Sequence, residues 1–168
     1  PVCGICGIVA ADGPADPGRL ARMSSKLVHR GPDSDGTFVD GPAALAARRL
    51  AIIDLATGDQ PIANEDGTVH VVQNGELYNY RELRAELERA GHRFSTSGDT
   101  EVLVHLYEEH GERFAERLRG MFAVALWDAE RGRLVLARDP YGIKPLYYRD
   151  AGGEIGRASC RERVCELV

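Results

Sequence analysis

The sequence predicts a layered α+β domain, because of the order in which its apolar patterns follow one another. Short apolar runs typical of strands lie towards both ends of the 168-residue chain, and helical patterns are grouped between them. This order differs from the regular strand–helix alternation of a parallel sheet. With 43% hydrophobic and 28% charged residues, the chain has the composition of one globular domain that can bury a sizeable core.

The first thirty residues predict a strand followed by a helix. Residues 4–10 form a small apolar run of the kind that makes a buried strand. Asp16 has the position of an N-cap, with Pro17 at the first helical position. The helical pattern extends to Arg30, and we expect the helix to stop at Gly31-Pro32.

The next segment predicts further strands and an unusual Asn-Gly pair. Apolar runs alternate with turn residues over 36–54, which should supply two or three strands, at 37–39, 43–47 and 50–53. A strand at 69–72 runs into Asn74-Gly75, a pair that normally indicates a hairpin. A helical pattern follows instead of a second strand, so we place Asn74-Gly75 where a strand gives way to a helix.

Helices are predicted in the middle of the chain. Asn79 and Glu82 have the spacing of a capping box for the first one, and Gly91 should end it. A second helix is expected at 101–110 and a short third one at 113–119.

The last part of the chain predicts a hairpin and one more strand. Apolar runs at 121–127 and 134–137 flank a turn, and 141–148 should add a strand. Residues 151–168 lack clear periodicity, so we interpret them as a cloning or sequencing scar and leave them out of the predicted domain, which covers 2–150.

Charge and hydropathy exclude several classes of function. The net charge of −5 and the pI near 5.6 leave no basic stripe for a nucleic-acid backbone. No apolar run is long enough to span a membrane, and the start does not resemble a secretory signal. We therefore expect a cytoplasmic protein without a nucleic-acid or membrane partner.

The cysteines and histidines do not predict a metal site. The cysteines form two distant pairs, Cys3/Cys6 and Cys160/Cys165, whose spacing argues weakly for zinc and for disulfides. Four histidines lack a paired spacing with carboxylates and are interpreted as structural or exposed: His70, His92, His105 and His110.

Seven short motifs occur in an order that points to one family. They are 3–9 (CGICGIV), 29–33 (HRGPD), 49–54 (RLAIID), 74–76 (NGE), 98–101 (GDTE), 120–123 (GMFA) and 138–147 (RDPYGIKPLY). Together they resemble the glutaminase domain of glutamine-dependent asparagine synthases, a class II amidotransferase domain. The resemblance implies a four-layer αββα sandwich of two mainly antiparallel sheets, the N-terminal-nucleophile (Ntn) hydrolase fold.

The resemblance implies that Cys3 is the nucleophile. A thiol with a reference pKa of about 8.5 needs a base at neutral pH, and a free α-amine with a pKa of about 7.7–8 is well matched to that task. Pro1 and Val2 would turn this amine into an amide, so we expect translation to start at position 2 and the mature chain to begin at Cys3. The alternative is that Cys3 is a small buried hydrophobic residue.

The same resemblance assigns the remaining site residues. The Asn74 side chain and the Gly75 N–H would hold the oxyanion, although a plain turn is the alternative. Arg49 would bind the α-carboxylate of L-glutamine, and Glu76 and Asp99 its ammonium group. The same pocket would be lined by Leu50, Ala51, Ile52 and Ile53.

Two of these residues also have ordinary explanations. Arg49 could be a surface charge, and Asp99 a helix cap. Arg30 is a weaker candidate, as a brace for the loop beside the nucleophile.

The implied reaction is acyl transfer from glutamine to Cys3, release of ammonia and hydrolysis of the thioester. No cofactor is expected in this domain. In whole family members a second domain uses ATP, with Mg²⁺, to convert aspartate to asparagine, and its Ser-Gly-Gly-x-Asp-Ser loop does not occur in this sequence. A homodimer is a further expectation.

Two alternatives remain open at this point. The domain could belong to another class II enzyme, such as amidophosphoribosyltransferase, glucosamine-phosphate synthase or an amide ligase with a different acceptor. It could also be a non-catalytic domain that only binds its ligand, since two residues precede Cys3.

Overall fold

The computed structural model describes residues 3–50, 54, 57–150 and 154–158, which form two antiparallel sheets and their covering helices. The strands are β1 (Gly4–Ala10), β2 (Ser34–Asp40), β3 (Ala43–Arg49), β4 (Ile62–Ala63), β5 (Val69–Leu77), β6 (Gly120–Asp128), β7 (Arg133–Arg138), β8 (Tyr147–Asp150) and β9 (Glu154–Ala158). The helices are α1 (Pro17–Ser25), α2 (Tyr80–Ala90), α3 (Val102–His110) and a 3₁₀ helix (Gly111–Arg117).

The strands divide between a five-stranded and a four-stranded sheet. The first has the order β2-β3-β1-β9-β8, so β1 lies at its centre, and the second has the order β4-β5-β6-β7. The longest pairing joins β5 to β6, from Val69 opposite Asp128 to Leu77 opposite Gly120. All strand pairs in both sheets are antiparallel.

Apolar side chains alternate between the faces of each sheet and so create three apolar layers. In β1, Ile8 packs in a cluster with Leu20 of α1, whereas Ile5 packs in a cluster with Trp127 of the other sheet. The outer face of the second sheet packs on α2 and α3, where Leu103 is fully buried. The resulting order is helix, sheet, sheet, helix, which confirms the predicted four-layer α+β architecture.

The first helix starts as predicted but ends early. The Asp16 carboxylate accepts a hydrogen bond of 2.8 Å from Gly18 N, which confirms the N-cap. The helix stops at Ser25 rather than Arg30, because residues 26–30 form tighter turns such as Arg30 N to Leu27 O. Gly31 does not end the helix but allows the chain to pass close to β3, since a Cβ there would lie 2.3 Å from the Arg48 carbonyl carbon.

The helices in the middle of the chain are confirmed, but their caps differ from the prediction. Gly91 ends α2 in the left-handed conformation, with φ of 112°. The prediction of a capping box is wrong. The Asn79 amide donates to Arg117 O and accepts from Arg119 N, and so connects the start of α2 to the end of the 3₁₀ helix and the residues after it. That third helix is 3₁₀ and begins at Gly111 instead of residue 113.

No helix among the described residues is long and apolar enough to cross a bilayer.

The end of the chain departs most from the prediction. Residues 141–146 form a turn, and β8 begins only at Tyr147. Residues 154–158, which we left out of the fold, form β9 between β1 and β8. The interpretation of residues 151–168 as a scar stays a prediction. Residues 51–53 of the expected strand lie outside the described residues.

The buried Glu101 provides a test of how the loop before α3 is held. Its side chain is almost fully buried, and its carboxylate accepts four hydrogen bonds of 2.6–2.9 Å from the N–H and hydroxyl groups of Ser95 and Thr96. Burial raises the pKa of Glu101, but these hydrogen bonds outweigh it and hold the pKa below its usual value.

We expect Glu101→Gln to lower the free energy of unfolding at pH 7 by about 1–3 kcal/mol, because an amide N–H₂ would face donors. A pKa lowered in the folded state contributes stability above the unfolded-state pKa, and this is lost as pH falls through the folded value. The difference between the two proteins in urea unfolding should therefore shrink below about pH 4.5. Glu116→Gln, in an exposed ion pair with Arg113, is the control and should change little. A constant difference across this pH range would contradict the assignment.

Candidate active site

A pocket lies where the start of β1 meets the ends of β3 and β5 and the loop before α3. It is lined by Cys3, Arg49, Leu50, Gly58, Gln60, Ile62, Asn74, Gly75, Glu76, Gly98, Asp99, Thr100, Met121 and Lys144. The fold thus brings together every predicted catalytic and glutamine-binding residue that the structure describes, whereas Arg30, the weaker candidate, is not among the lining residues. Ala51, Ile52 and Ile53 lie outside the described residues.

Cys3 is held against the backbone that follows β3. Its Sγ lies 3.4 Å from Leu50 N and 3.6 Å from Leu50 O. It is half-buried, whereas Cys6 is fully packed under α1, where burial raises the pKa of the Cys6 thiol to about 12 against the opposing effect of Arg48. Of the two cysteines in the described residues, only Cys3 therefore lines the pocket with a sulfur that substrate can reach.

Asn74 and Gly75 lie inside β5, so the expectation that they form a strand-to-helix turn is wrong. Asn74 is opposite Ala123 and Gly75 is opposite Phe122 of β6. Gly75 has φ of 146°, and a Cβ there would lie 2.0 Å from Met121 O. A glycine is required because the two backbones approach closely at the end of this ladder.

Arg49 ends β3 and is only 6% exposed, which excludes the surface-charge alternative. Its guanidinium donates to Asp59 Oδ1 at 3.0 Å and to the Asp54 carbonyl oxygen. Gly58 lets this loop pass close to the guanidinium, since a Cβ would lie 2.5 Å from Arg49 Nη2. The cation is thus fixed at the wall of the pocket.

Asp99 is a buried carboxylate in the pocket wall. It accepts hydrogen bonds from Leu77 N at 2.8 Å and from Gln73 Nε2 at 3.2 Å. It makes no helix cap, because Glu101 occupies the N-cap position of α3. Burial raises the pKa of Asp99 above its ordinary value despite these hydrogen bonds, and the charge of Glu76 raises it further.

Sequence reasoning missed two polar side chains that shape the pocket. Gln73 is fully buried, and its backbone N–H donates to Gln60 Oε1 at 2.6 Å while its side chain holds Asp99. In the sequence, its position one residue before Asn74-Gly75, at the end of an apolar strand, could have indicated that Gln73 lies near the site.

Lys144 is the second residue that was missed. Burial lowers the pKa of Lys144, as does the nearby Arg30 charge, while Cys3, Asp139 and Glu76 favour its charged form. It is placed by Asp139, whose carboxylate accepts from Ile143 N at 2.8 Å and from Lys144 N at 3.0 Å. The sequence predicts a strand over 141–148, and only the lysine inside the 138–147 motif pointed to the pocket.

The pocket can hold a small zwitterion that carries an amide. Its lining includes a thiol, a fixed guanidinium and two carboxylates. Such an arrangement matches one negative group, one positive group and an electrophilic carbon.

Comparisons with known proteins agree with this chemistry. A family model described as the glutamine amidotransferase domain matches residues 2–167. The chain is 48% identical over 145 residues to asparagine synthetase [glutamine-hydrolyzing] 1 of Bacillus subtilis (strain 168), which covers 86% of this chain and 23% of that protein. It is 49% identical over 148 residues to the asparagine synthetase [glutamine-hydrolyzing] of Sandersonia aurantiaca, with 85% and 28% covered.

A solved structure shows the fold. Glutamine phosphoribosylpyrophosphate amidotransferase from B. subtilis, complexed with ADP and GMP, superposes with a TM-score of 0.74 at 24% identity, covering 94% of this chain and 42% of that one. The four-layer sandwich is therefore of the Ntn type. The chain spans about a quarter of the length of the curated relatives.

The close approach at Gly75 generates a stability prediction. Gly75→Ala places a methyl group against Met121 O, so the β5–β6 ladder must separate, and we expect a large fall in the midpoint of thermal unfolding. Gly67→Ala is the matched control, since Gly67 also has positive φ (74°) but has nothing within 4 Å of a Cβ; it should cost about 1 kcal/mol. Equal midpoints for the two variants would contradict the steric argument.

Proposed function

The chain belongs to the glutamine amidotransferase domain family, and on that premise we propose that its pocket hydrolyses L-glutamine to glutamate and ammonia. One observation carries the proposal: a half-buried thiol, a fixed guanidinium and two carboxylates, from distant parts of the chain, line the same pocket. Its similarity to glutamine-hydrolysing asparagine synthetases supports the same substrate.

The nucleophile is the Cys3 thiolate. The proton of the Cys3 thiol passes to the α-amine of the same residue, which requires that the active chain begin at Cys3. Sulfur attacks the side-chain amide carbon of glutamine, and the C–N bond then breaks as the ammonium form of the α-amine returns the proton to the leaving nitrogen. Water cleaves the glutamyl thioester, which releases glutamate and restores the thiol.

The Asn74 side-chain amide and the Gly75 N–H stabilise the oxyanion of each tetrahedral intermediate. Both residues lie in a paired strand, so they are fixed before substrate arrives. Loss of one such donor typically raises the barrier by about 3–4 kcal/mol.

Recognition of the amino acid uses charged groups of both signs in the pocket lining. Arg49 binds the α-carboxylate, and Glu76 with Asp99 binds the ammonium group. The raised pKa of Asp99 supports this assignment, because a buried carboxylate beside another carboxylate gains most from an arriving cation. Leu50, with residues 51–53, lines the same cleft.

The fate of the ammonia depends on parts of the protein beyond this domain. The relatives are about four times longer than the matched region. We propose that the nitrogen passes to aspartate in an ATP- and Mg²⁺-dependent reaction of another domain, in a cytoplasmic and dimeric enzyme. The glutaminase domain itself uses no cofactor, and a different acceptor is the alternative.

The nucleophile is tested with protein that begins at Cys3. We expect Cys3→Ala to reduce glutamate release from glutamine by at least about 1,000-fold. Cys6→Ala is the matched control and should keep activity within a few-fold, because Cys6 packs under α1.

Protein that retains Pro1 and Val2 should also be inactive, since its Cys3 nitrogen is an amide. Equal glutamate release from the parent and Cys3→Ala would leave only a non-catalytic ligand-binding domain.

Arg49 is tested with a pair of substrates. Arg49→Lys should lower kcat/KM for glutamine by about 10–100-fold, because an ammonium cannot keep both the loop contacts and a paired carboxylate. Two analogues of glutamine separate the role of Arg49 from a general loss of structure. The deaminated analogue keeps the α-carboxylate, and the decarboxylated analogue lacks it. The variant should act on an amide that lacks the α-carboxylate about as well as the parent does. An equal loss of activity with glutamine and with the decarboxylated analogue would refute a role for Arg49 in carboxylate binding.

A further inference from the structure

A second cluster of titratable side chains lies at the outer helical layer, and none of its members lines the pocket. It consists of Glu65 between β4 and β5, His92 after α2, and His105 with Glu108 on α3. We refer to these four residues as the His92–His105 cluster. The sequence spacing of these histidines did not indicate a metal site, because the fold joins residues that the sequence separates.

Ligand atoms of this cluster lie 3.0–3.7 Å apart in four pairs, close to the separations of a tetrahedral site. His105 Nδ1 lies 3.3 Å from Glu65 Oε2 and 3.0 Å from Glu108 Oε2. His92 Nδ1 lies 3.5 Å from Glu65 Oε1 and 3.7 Å from Glu108 Oε2. A tetrahedral ion with bonds of about 2.0–2.1 Å has ligands about 3.3–3.4 Å apart. All four ligand atoms lie within 4.8 Å of one another, so each can reach a common centre.

A surrounding set of hydrogen bonds holds the ligands in place. His92 Nε2 lies 3.0 Å from Glu109 Oε1, which leaves Nδ1 facing the cluster. Asn64 Nδ2 donates to Glu108 Oε1 at 2.8 Å, and Arg93 N donates to Glu65 Oε1 at 2.8 Å. Carboxylate partners on the second nitrogen of a histidine are typical of metal sites.

His105 is fixed by packing as well. It is fully buried. The centroid of its ring lies 4.6 Å from that of Phe94, in a T-shaped arrangement, and 4.7 Å from that of His92. Its Nε2 is buried without a hydrogen-bond partner and lies 3.8 Å from Glu101 Oε1. The imidazole therefore presents Nδ1 to the cluster from a rigid position.

The donor set indicates which ions fit. Two neutral imidazoles and two carboxylates carry a charge of −2, which a divalent cation neutralises. Two nitrogen donors favour Zn²⁺ and its neighbours over Mg²⁺ or Ca²⁺, which prefer oxygen. The Glu65 and Glu108 side chains are 37% and 29% exposed, so an ion can enter from solvent.

We propose that the His92–His105 cluster is a structural site for a zinc-type divalent cation, which fastens the β4–β5 turn to α3 and to the segment between α2 and α3. Three parts of the chain that share no backbone ladder meet at this point. The proposal is independent of glutamine hydrolysis.

The test uses the full chain after chelator treatment at pH 7.5, with Zn²⁺ and Co²⁺ as probes. One equivalent of Zn²⁺ should bind and raise the midpoint of thermal unfolding by several degrees. Co²⁺ should give the visible absorption of a tetrahedral nitrogen and oxygen site without thiolate-to-cobalt charge transfer. Charge transfer from sulfur, or no binding below millimolar Zn²⁺, would overturn the proposal.

Variants of the ligands locate the ion. His92→Gln and Glu108→Gln should each weaken Zn²⁺ binding by at least about 100-fold, since even outer-shell changes typically cost 10–100-fold. His110→Gln is the matched control at the end of α3, where His110 contacts Arg117 and not the cluster. If all three variants bind Zn²⁺ like the parent, the cluster is a network of ion pairs and not a metal site.

Discussion

The antiparallel pairing of β1 with β3 is the constraint on which the pocket depends. Cys3 directly precedes β1, a strand at the centre of a five-stranded sheet. The register that places Gly4 opposite Arg48 continues by one step, which brings the Cys3 sulfur to the backbone of Leu50 and next to Arg49. The sheet register thereby positions the Cys3 thiol beside Arg49 in the pocket lining.

The second sheet contributes a distorted ladder at the same end of the molecule. Gly75 and Gly120 both have positive φ, and a Cβ on either would lie within 2.2 Å of a carbonyl oxygen of the opposing strand. Regular strands exclude such contacts, so these glycines permit a close approach just where β5 enters the pocket. The pocket thus forms where the end of the β1–β3 pairing meets the close approach of β5 and β6.

Local patterns predicted the elements well, whereas long-range partners decided the details that failed. Asp16 and Gly91 act within one helical turn, and their roles could be read from neighbouring residues. Asn79 has the spacing of a capping residue, but the segment after the 3₁₀ helix offers its amide better partners. Asn74-Gly75 has turn composition, but pairing with β6 keeps it in a strand. The site residues came from family resemblance, while Lys144 and the His92–His105 cluster required the fold, because their partners are distant in sequence.

Helix α3 connects the two clusters of charged groups, although they share no residue. At its N-terminus, Glu101 holds Ser95 and Thr96, at the start of the loop that carries Asp99 into the pocket. One turn later, His105 packs beside Glu101 and turns its other nitrogen to the outer cluster. The apolar residues of α3 between these points are fully buried, so close packing holds this part of the helix in place. Glu101 and His105 lie one helical turn apart, so the loop that leads to Asp99 and the outer cluster are both attached to the first turns of α3.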